Sequence, residues 1–408
     1  MIRTLALLAA LTAPSLAQDL ESATERALGL ADCSVQKLDP TGTPASGLEA
    51  QVWLDGTPTI LHLTEHSVRA AGFELIEQHA DGSLVSVDPG PVVTLRGGLE
   101  GTPDARVAAG LLTDGLHARV MMPDGREFWI QPVPATLPGA GPLHHVIYER
   151  SQILRTSERC GADLLANNHS VPTPELAPGA GVPLGSTLYT AELGCDADFE
   201  FYQDYGSSTT TASNRIQTII NTMNLQYEPE VGITHAITTT LVRTSSNQPY
   251  TSSDAGTLLD QFRSEWNNNQ GSIQRDVAQL FTGKSIIGGT IGIAWVGAVC
   301  TSFGYGMVES DFNGNFASAT DLSAHELGHN WNASHCSCTS YTMNPFITSA
   351  NTFNPQGTRP TITAFRNSRS CLSTGGGGNN PPGNAGNPSP GSGANNVPSN
   401  ADLSWSSA

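Results

Sequence analysis

Three histidines in the last third of the chain, His325, His329 and His335, constrain its fold more than any other feature. His325 and His329 are four apart, so on a helix they share one side, one turn above the other. Two imidazoles placed in this way can hold one tetrahedral zinc at about 2.0–2.1 Å each. Glu326 can reach the open side of such a metal without binding it, which is the position of a general base. His335 cannot lie on the same straight face. The chain must leave the helix and turn back through a residue that tolerates positive φ, and Asn332 stands where that residue is needed. A lone histidine reads best as a core or surface residue; three at metal spacing read as a site.

Around this motif, the chain from Ser186 alternates strand and helix patterns. Leu188 to Leu193, Gly232 to Val242 and Ile286 to Val299 read as strands. Thr211 to Leu225 and Asp254 to Trp266 read as helices, with Ile216, Ile219, Ile220 and Met223 on one face of the first. Thr320 to Asn332 is the metal helix, with Thr320 or Asp321 as N-cap. Alternation of this kind implies an α/β arrangement. Residues 18 to about 155 read instead as an all-β unit, including Gln51–Leu54, Thr59–Leu63, Leu84–Val87, Ala118–Met121 and Glu127–Pro132. Asp124-Gly125 is a hairpin signal within it. Between the two, Pro172 to Gly185 is Pro/Gly-rich, exposed and open to a proteolytic nick.

The first residues read as an export signal: Arg3, an apolar Leu5–Leu11 core, and a small-residue cleavage site at Ser15-Leu16-Ala17. A buried N-terminal helix is the alternative. No later run reaches the roughly 18 apolar residues of a membrane span. A net charge of −18 repels phosphate backbones and anionic membranes, which argues against nucleic-acid binding. An exported chain expects disulfides, yet it has seven cysteines, so at least one is free, on a metal, or paired between chains.

The run from His325 to His335, His-Glu-Leu-Gly-His-Asn-Trp-Asn-Ala-Ser-His, resembles the extended zinc motif of metzincin metalloproteases. Tyr341-Thr342-Met343-Asn344-Pro345 supplies the methionine turn that family places under its metal. Met343 alone would read as core filler; here it reads as a hydrophobic floor. Asp276 to Gly283 and Gly289 to Gly297 narrow the resemblance to the reprolysin (adamalysin/ADAM) branch. It covers roughly residues 187 to 372, and the β-rich region before it resembles that family's propeptide. Asn332 replaces the family's usual Gly, and Cys336 its usual Asp after the third His.

The resemblance implies a metzincin catalytic domain, a mixed twisted sheet with helices, behind a β-rich propeptide. The divisions are 1–17 signal peptide, 18–185 propeptide, 186–372 catalytic domain, and 373–408 a Gly/Asn/Pro-rich linker with the start of a further module. It implies zinc on His325, His329 and His335, and peptide hydrolysis by a zinc-activated water with Glu326 as base. The substrate would lie extended against Thr290–Val296. Ser157-Glu158-Arg159-Cys160-Gly161 resembles a cysteine switch, with Cys160 on zinc in a latent form; a Cys33–Cys160 disulfide is the alternative. Cys300 and Cys371 match a family disulfide, while Cys195, Cys336 and Cys338 cannot be paired. Glu192 and Asp276 fall at family calcium positions, with Thr374 in place of the Asn ligand; the other reading is two solvated carboxylates. A secreted monomer acting on proteins or peptides is expected. A secreted adhesion protein with a non-cleaving domain is the main alternative, and a zinc hydrolase for a non-peptide bond a third.

Overall fold

The strand pattern of the N-terminal half is realised in the computed structural model, which describes residues 16–165 and 187–374, with short strands at Gly386–Ser389 and Ser404–Ser406. Residues 1–15 of the expected 1–17 leader and the Pro/Gly stretch 172–185 lie outside the described residues. Along Gly47–Leu54 burial alternates, with Leu48, Ala50, Val52 and Leu54 turned inward, as a half-buried strand requires. Such strands build a nine-stranded antiparallel sheet among the described residues. It begins with Ser34–Lys37 beside His144–Glu149 and ends at Thr41–Thr43. The expected hairpin at Asp124-Gly125 joins Gly115–Met121 to Glu127–Pro132. A helix, Leu16–Leu28, precedes the sheet.

The second sheet carries the site. Its order begins Arg159–Cys160, Thr290–Ala294, Tyr305–Glu309, Val277–Thr282, and continues Tyr189–Ala197, Ile233–Arg243, Arg69–Gln78, Leu84–Val87. Most pairs are parallel, with Thr290–Ala294 antiparallel to Tyr305–Glu309. The expected all-β unit therefore does not stand alone. Leu84–Val87 and its partner Arg69–Gln78 extend the catalytic sheet past Ile233–Arg243. Alternation identifies a strand but not the sheet that takes it.

Between the sheets runs the helix Thr209–Val231, longer at both ends than the apolar spacing predicts. Ser208 caps it by accepting from the Thr211 amide, and Gly232 closes it at φ 63°. Ile216, Ile219, Ile220 and Met223 face the second sheet, fully buried, each contributing roughly 1.5–3 kcal/mol. Thr218 and Asn221 are buried against the first sheet, beside Gly110 and on Leu95 O and Ala109 O, while buried Gln217 accepts from Arg69 of the second. Ala255–Asn269 packs Leu258, Leu259, Phe262 and Trp266 beneath Ala278 and Leu280. The expected strand Ile286–Val299 is shorter. A tight turn at Ile287–Gly289 precedes Thr290–Ala294, and the chain turns again before Cys300, at φ 65°.

Candidate functional site

The site helix is Phe316–Asn330, one turn longer at its start than the sequence predicts. Its cap is Asn315, whose side chain accepts from the Ser318 amide, not Thr320 or Asp321. Thr320 instead donates back to the Phe316 carbonyl. Asp321 turns inward and accepts from Thr342 Oγ1 at 2.7 Å and from the amides of Ala350 and Asn351. With the Thr348 hydroxyl at 3.4 Å as a fourth donor, this buried carboxylate is held as firmly as any cap, so both expected caps are occupied elsewhere.

Asn332 takes φ 73°, as the motif requires, and the chain reverses through bonds from the Asn332 amide to His329 O and from the Ala333 amide to Gly328 O. This brings His335 back. Its Nε2 lies 3.2 Å from Nε2 of both His325 and His329, which are themselves 3.0 Å apart. Together with Cys160 Sγ, these ligand atoms all lie within 4.8 Å of one another. His325 Nδ1 faces the Thr342 carbonyl at 2.6 Å, His329 Nδ1 the Ala333 carbonyl at 2.7 Å, and His335 Nδ1 Asp163 Oδ2 at 3.0 Å. Each acceptor assigns the ring proton to Nδ1 and leaves a lone pair on Nε2. Three converging lone pairs repel unless a cation lies between them, so the donor set fits a metal such as zinc.

Burial, and then the neighbouring His335, push His325 down to about 3; burial drives His329 well below the usual histidine value. Both rings therefore stay neutral, as metal ligands must. Glu326 is fully buried beside them. Burial pushes its carboxyl up to about 8, and the Cys160 hydrogen bond opposes this. Its Oε2 lies 3.5 Å from Cys160 Sγ, while Oε1 has no protein partner. Burial and the Glu326 charge push the Cys160 thiol well up, so a thiolate there needs a cation beside it.

The segment bearing Cys160 is clamped from both sides. Arg159 and Cys160 pair with Thr290 and Gly292 of the edge strand, and the Gly161 amide donates to Gly292 O. On the other side the Cys160 amide donates to Pro345 O, and the Ile347 amide to Glu158 O. Met343 is fully buried under the helix, its sulfur 2.6 Å from where a Cβ on Gly328 would be.

The expected Cys300–Cys371 pair is a disulfide, and Cys336–Cys338, which the sequence left unpaired, is another; Cys33, Cys160 and Cys195 are free. The alternative Cys33–Cys160 bond is thus not formed. Glu192 and Asp276 are adjacent. The Glu192 amide donates to Asp276 Oδ2, and Glu192 Oε1 accepts from Gln274. Burial pushes the Asp276 carboxyl up to about 6, aided by the charge of Glu192. Thr374 is exposed and paired with Tyr189. His235 is a core residue, accepting from the Trp331 indole at 3.0 Å. Sequence reasoning missed Asp163 and Asp321. Asp321 lies four residues before His325, so helical spacing could have marked it; no spacing marks Asp163.

The helix, the turn under it and the converging histidines define a metalloprotease domain of the metzincin kind. Residues 187–380 match the reprolysin model described as metallo-peptidase family M12. The chain thus carries a reprolysin-type metalloprotease domain of the M12 family. The zinc metalloproteinase-disintegrin-like atragin of Naja atra is 23% identical over 322 residues, which cover 74% of this chain and 51% of that protein. This chain therefore spans about half the length of the curated relative it matches. A solved chaperone–substrate complex is similar with a TM-score of 0.35, at 16% identity over 43% of this chain and 34% of its own, and supports no argument. Domain family and cluster together support a peptidase over a purely adhesive protein. Among the described residues no helix is long and apolar enough to cross a membrane.

Proposed function

We propose that this protein is a secreted zinc metalloendopeptidase made as a latent zymogen. Residues 18–185 act as propeptide, 186–372 as catalytic domain, and 373–408 as a linker toward a further module. The observation that carries the reading is the meeting of three neutral imidazole nitrogens with a buried glutamate whose Oε1 has no partner.

In this reading His325, His329 and His335 hold zinc. When bound, the metal supplies a Lewis acid that polarises a scissile carbonyl and acidifies a water. Glu326 takes that water's proton on its carboxylate and returns it to the leaving amine. The edge strand Thr290–Ala294 offers its backbone to an extended peptide, as it does to Arg159–Cys160. Cys160 keeps the site latent because its sulfur, 3.4 Å from His329 Nε2, stands against Glu326 where substrate would enter. Met343 is the apolar floor. Calcium at Glu192 and Asp276 is a further element of this reading, resting on the two residues being neighbours through the Glu192 amide and Asp276 Oδ2; calorimetric titration with Ca2+ giving no heat would remove it.

The adhesion reading asks for a site that has lost Glu326 or a histidine, and this chain keeps all four. Profiling a peptide library with and without a chelator separates the peptidase from it and from a non-peptide hydrolase. Glu326→Gln is expected to keep stoichiometric zinc and lose peptidase activity by orders of magnitude. Unchanged casein cleavage by that variant would overturn the role of Glu326.

A further inference from the structure

The three site histidines differ in what holds the far side of the ring. His325 and His329 donate to Thr342 O and Ala333 O, carbonyls of the catalytic region itself. His335 donates instead to Asp163, 172 positions away in sequence and three residues past Cys160. We propose that Asp163 is a positioning residue of the latent metal site. Its carboxylate holds the His335 ring so that Nε2 points at the metal, while Cys160 meets the same metal from the open side.

The inference rests on the zymogen reading above and adds a second grip to it. The local fold explains how four residues reach both sides of the site. The amides of Cys160 and Gly161 are fixed to Pro345 O and Gly292 O. Gly161 runs so close to the edge strand that a Cβ would stand 2.8 Å from the Thr290 methyl. The chain then makes a tight turn over Ala162–Leu165, with the Ala162 amide on Cys160 Sγ, and this turn swings Asp163 over His335. The Asp163 side chain is 78% exposed, so as a surface ion pair it would contribute little to folding. Its effect is on the ring. A carboxylate behind a ligating imidazole fixes the tautomer and orientation and makes the ligand more basic, and losing such a partner weakens metal binding about 10–100-fold. When the propeptide leaves, thiol and carboxylate leave together. The latent form therefore holds zinc more tightly than the mature form by more than the loss of Cys160 alone would give.

The test is the rate at which the full-length chain loses zinc to a colorimetric chelator. Asp163→Ala is expected to speed loss about 10–100-fold, with Asp163→Glu falling between it and the unmodified chain. The mature enzymes cut from all three should lose zinc at one rate. In the cobalt-substituted full-length chain, the thiolate-to-cobalt absorption should persist in Asp163→Ala, showing that Cys160 still docks. Equal zinc loss from Asp163→Ala and the unmodified chain overturns the proposal. Loss of the thiolate band overturns it too, because Asp163 would then act by docking the segment. A Cys160→Ser arm separates this from the parent reading. If that variant is as latent and as slow to lose zinc as the unmodified chain, the placing of Cys160 on the latent metal fails and takes the Asp163 role with it. If Cys160→Ser is prematurely active while Asp163→Ala behaves normally, only the Asp163 role fails.

Discussion

Gly292 shows how closely the site is built at the scale of single residues. A Cβ there would lie 2.4 Å from Glu326 Oε1 and 2.9 Å from the Leu322 Cδ1 methyl, far inside contact distance. The edge strand can thus pass directly over the proposed base only without a side chain. Gly292→Ala must push Glu326 or the strand aside, and misplacement by about 1 Å can cost about 100-fold in rate. We expect kcat/KM on a quenched peptide to fall about 10–100-fold with zinc retained; an unchanged kcat/KM would show that the strand is not held against the base. The histidines, Glu326 and the positive φ of Asn332 were legible beforehand, because helical spacing and Ramachandran sterics act within a few residues. Gly292 was not. Its constraint comes from a carboxylate 34 positions later, and nothing local to the glycine signals that approach.

Among the elements, the site helix and the loop beneath it are joined through Asp321. Its buried carboxylate takes the Thr342 hydroxyl and the amides of Ala350 and Asn351, and the Thr342 carbonyl in turn receives His325. One acidic side chain therefore fixes the methionine turn to the helix and, one step further, the first histidine. Asp321→Asn keeps the shape but replaces one accepting oxygen with an NH2 group, which then faces one backbone amide and one hydroxyl. Leaving such groups unpaired costs about 1–3 kcal/mol each. We expect about 1–3 kcal/mol of lost stability in urea denaturation, together with weaker zinc retention; a loss under about 0.5 kcal/mol would show the loop is held by other contacts. The same carboxylate explains why the helix start was misread. Asp is a good cap by type, but this one is used by a loop some 30 residues later, and Asn315 caps instead. The helix Thr209–Val231 shows the complementary limit. Its apolar face was legible from Ile216, Ile219 and Ile220, whereas no spacing marks the polar Thr218 and Asn221 as buried. They are buried because the first sheet, distant in sequence, covers them.

That covering sheet decides how the whole molecule responds to cleavage. Asn221 Nδ2 donates to Leu95 O and Ala109 O, both at 2.9 Å, and Arg96 returns bonds to Asn221 Oδ1 and O. Gly110 lets the helix come so near that a Cβ would lie 2.2 Å from Thr218 Oγ1. Arg119, fully buried on Glu127, also donates to Asn351 O in the loop that Asp321 holds. Tyr148 reaches Asn315, the cap of the site helix. Above all, Arg69–Gln78 forms a parallel ladder with Ile233–Arg243, covering what would otherwise be an open edge of the catalytic sheet. None of these contacts passes through residues 166–186, so cutting the chain there breaks no bond among them. Separation would cost two strand pairings, several buried hydrogen bonds and the apolar contacts around Trp129 and Phe316. We therefore expect a specific protease site placed within 166–186 to yield two pieces that elute together at micromolar concentration and melt in a single transition. The nicked protein should stay latent until the N-terminal piece is destroyed or stripped by mild denaturant. Elution of that piece alone, with full activity appearing at the moment of the cut, would show that the chain connection, not the shared sheet, keeps the N-terminal region in place.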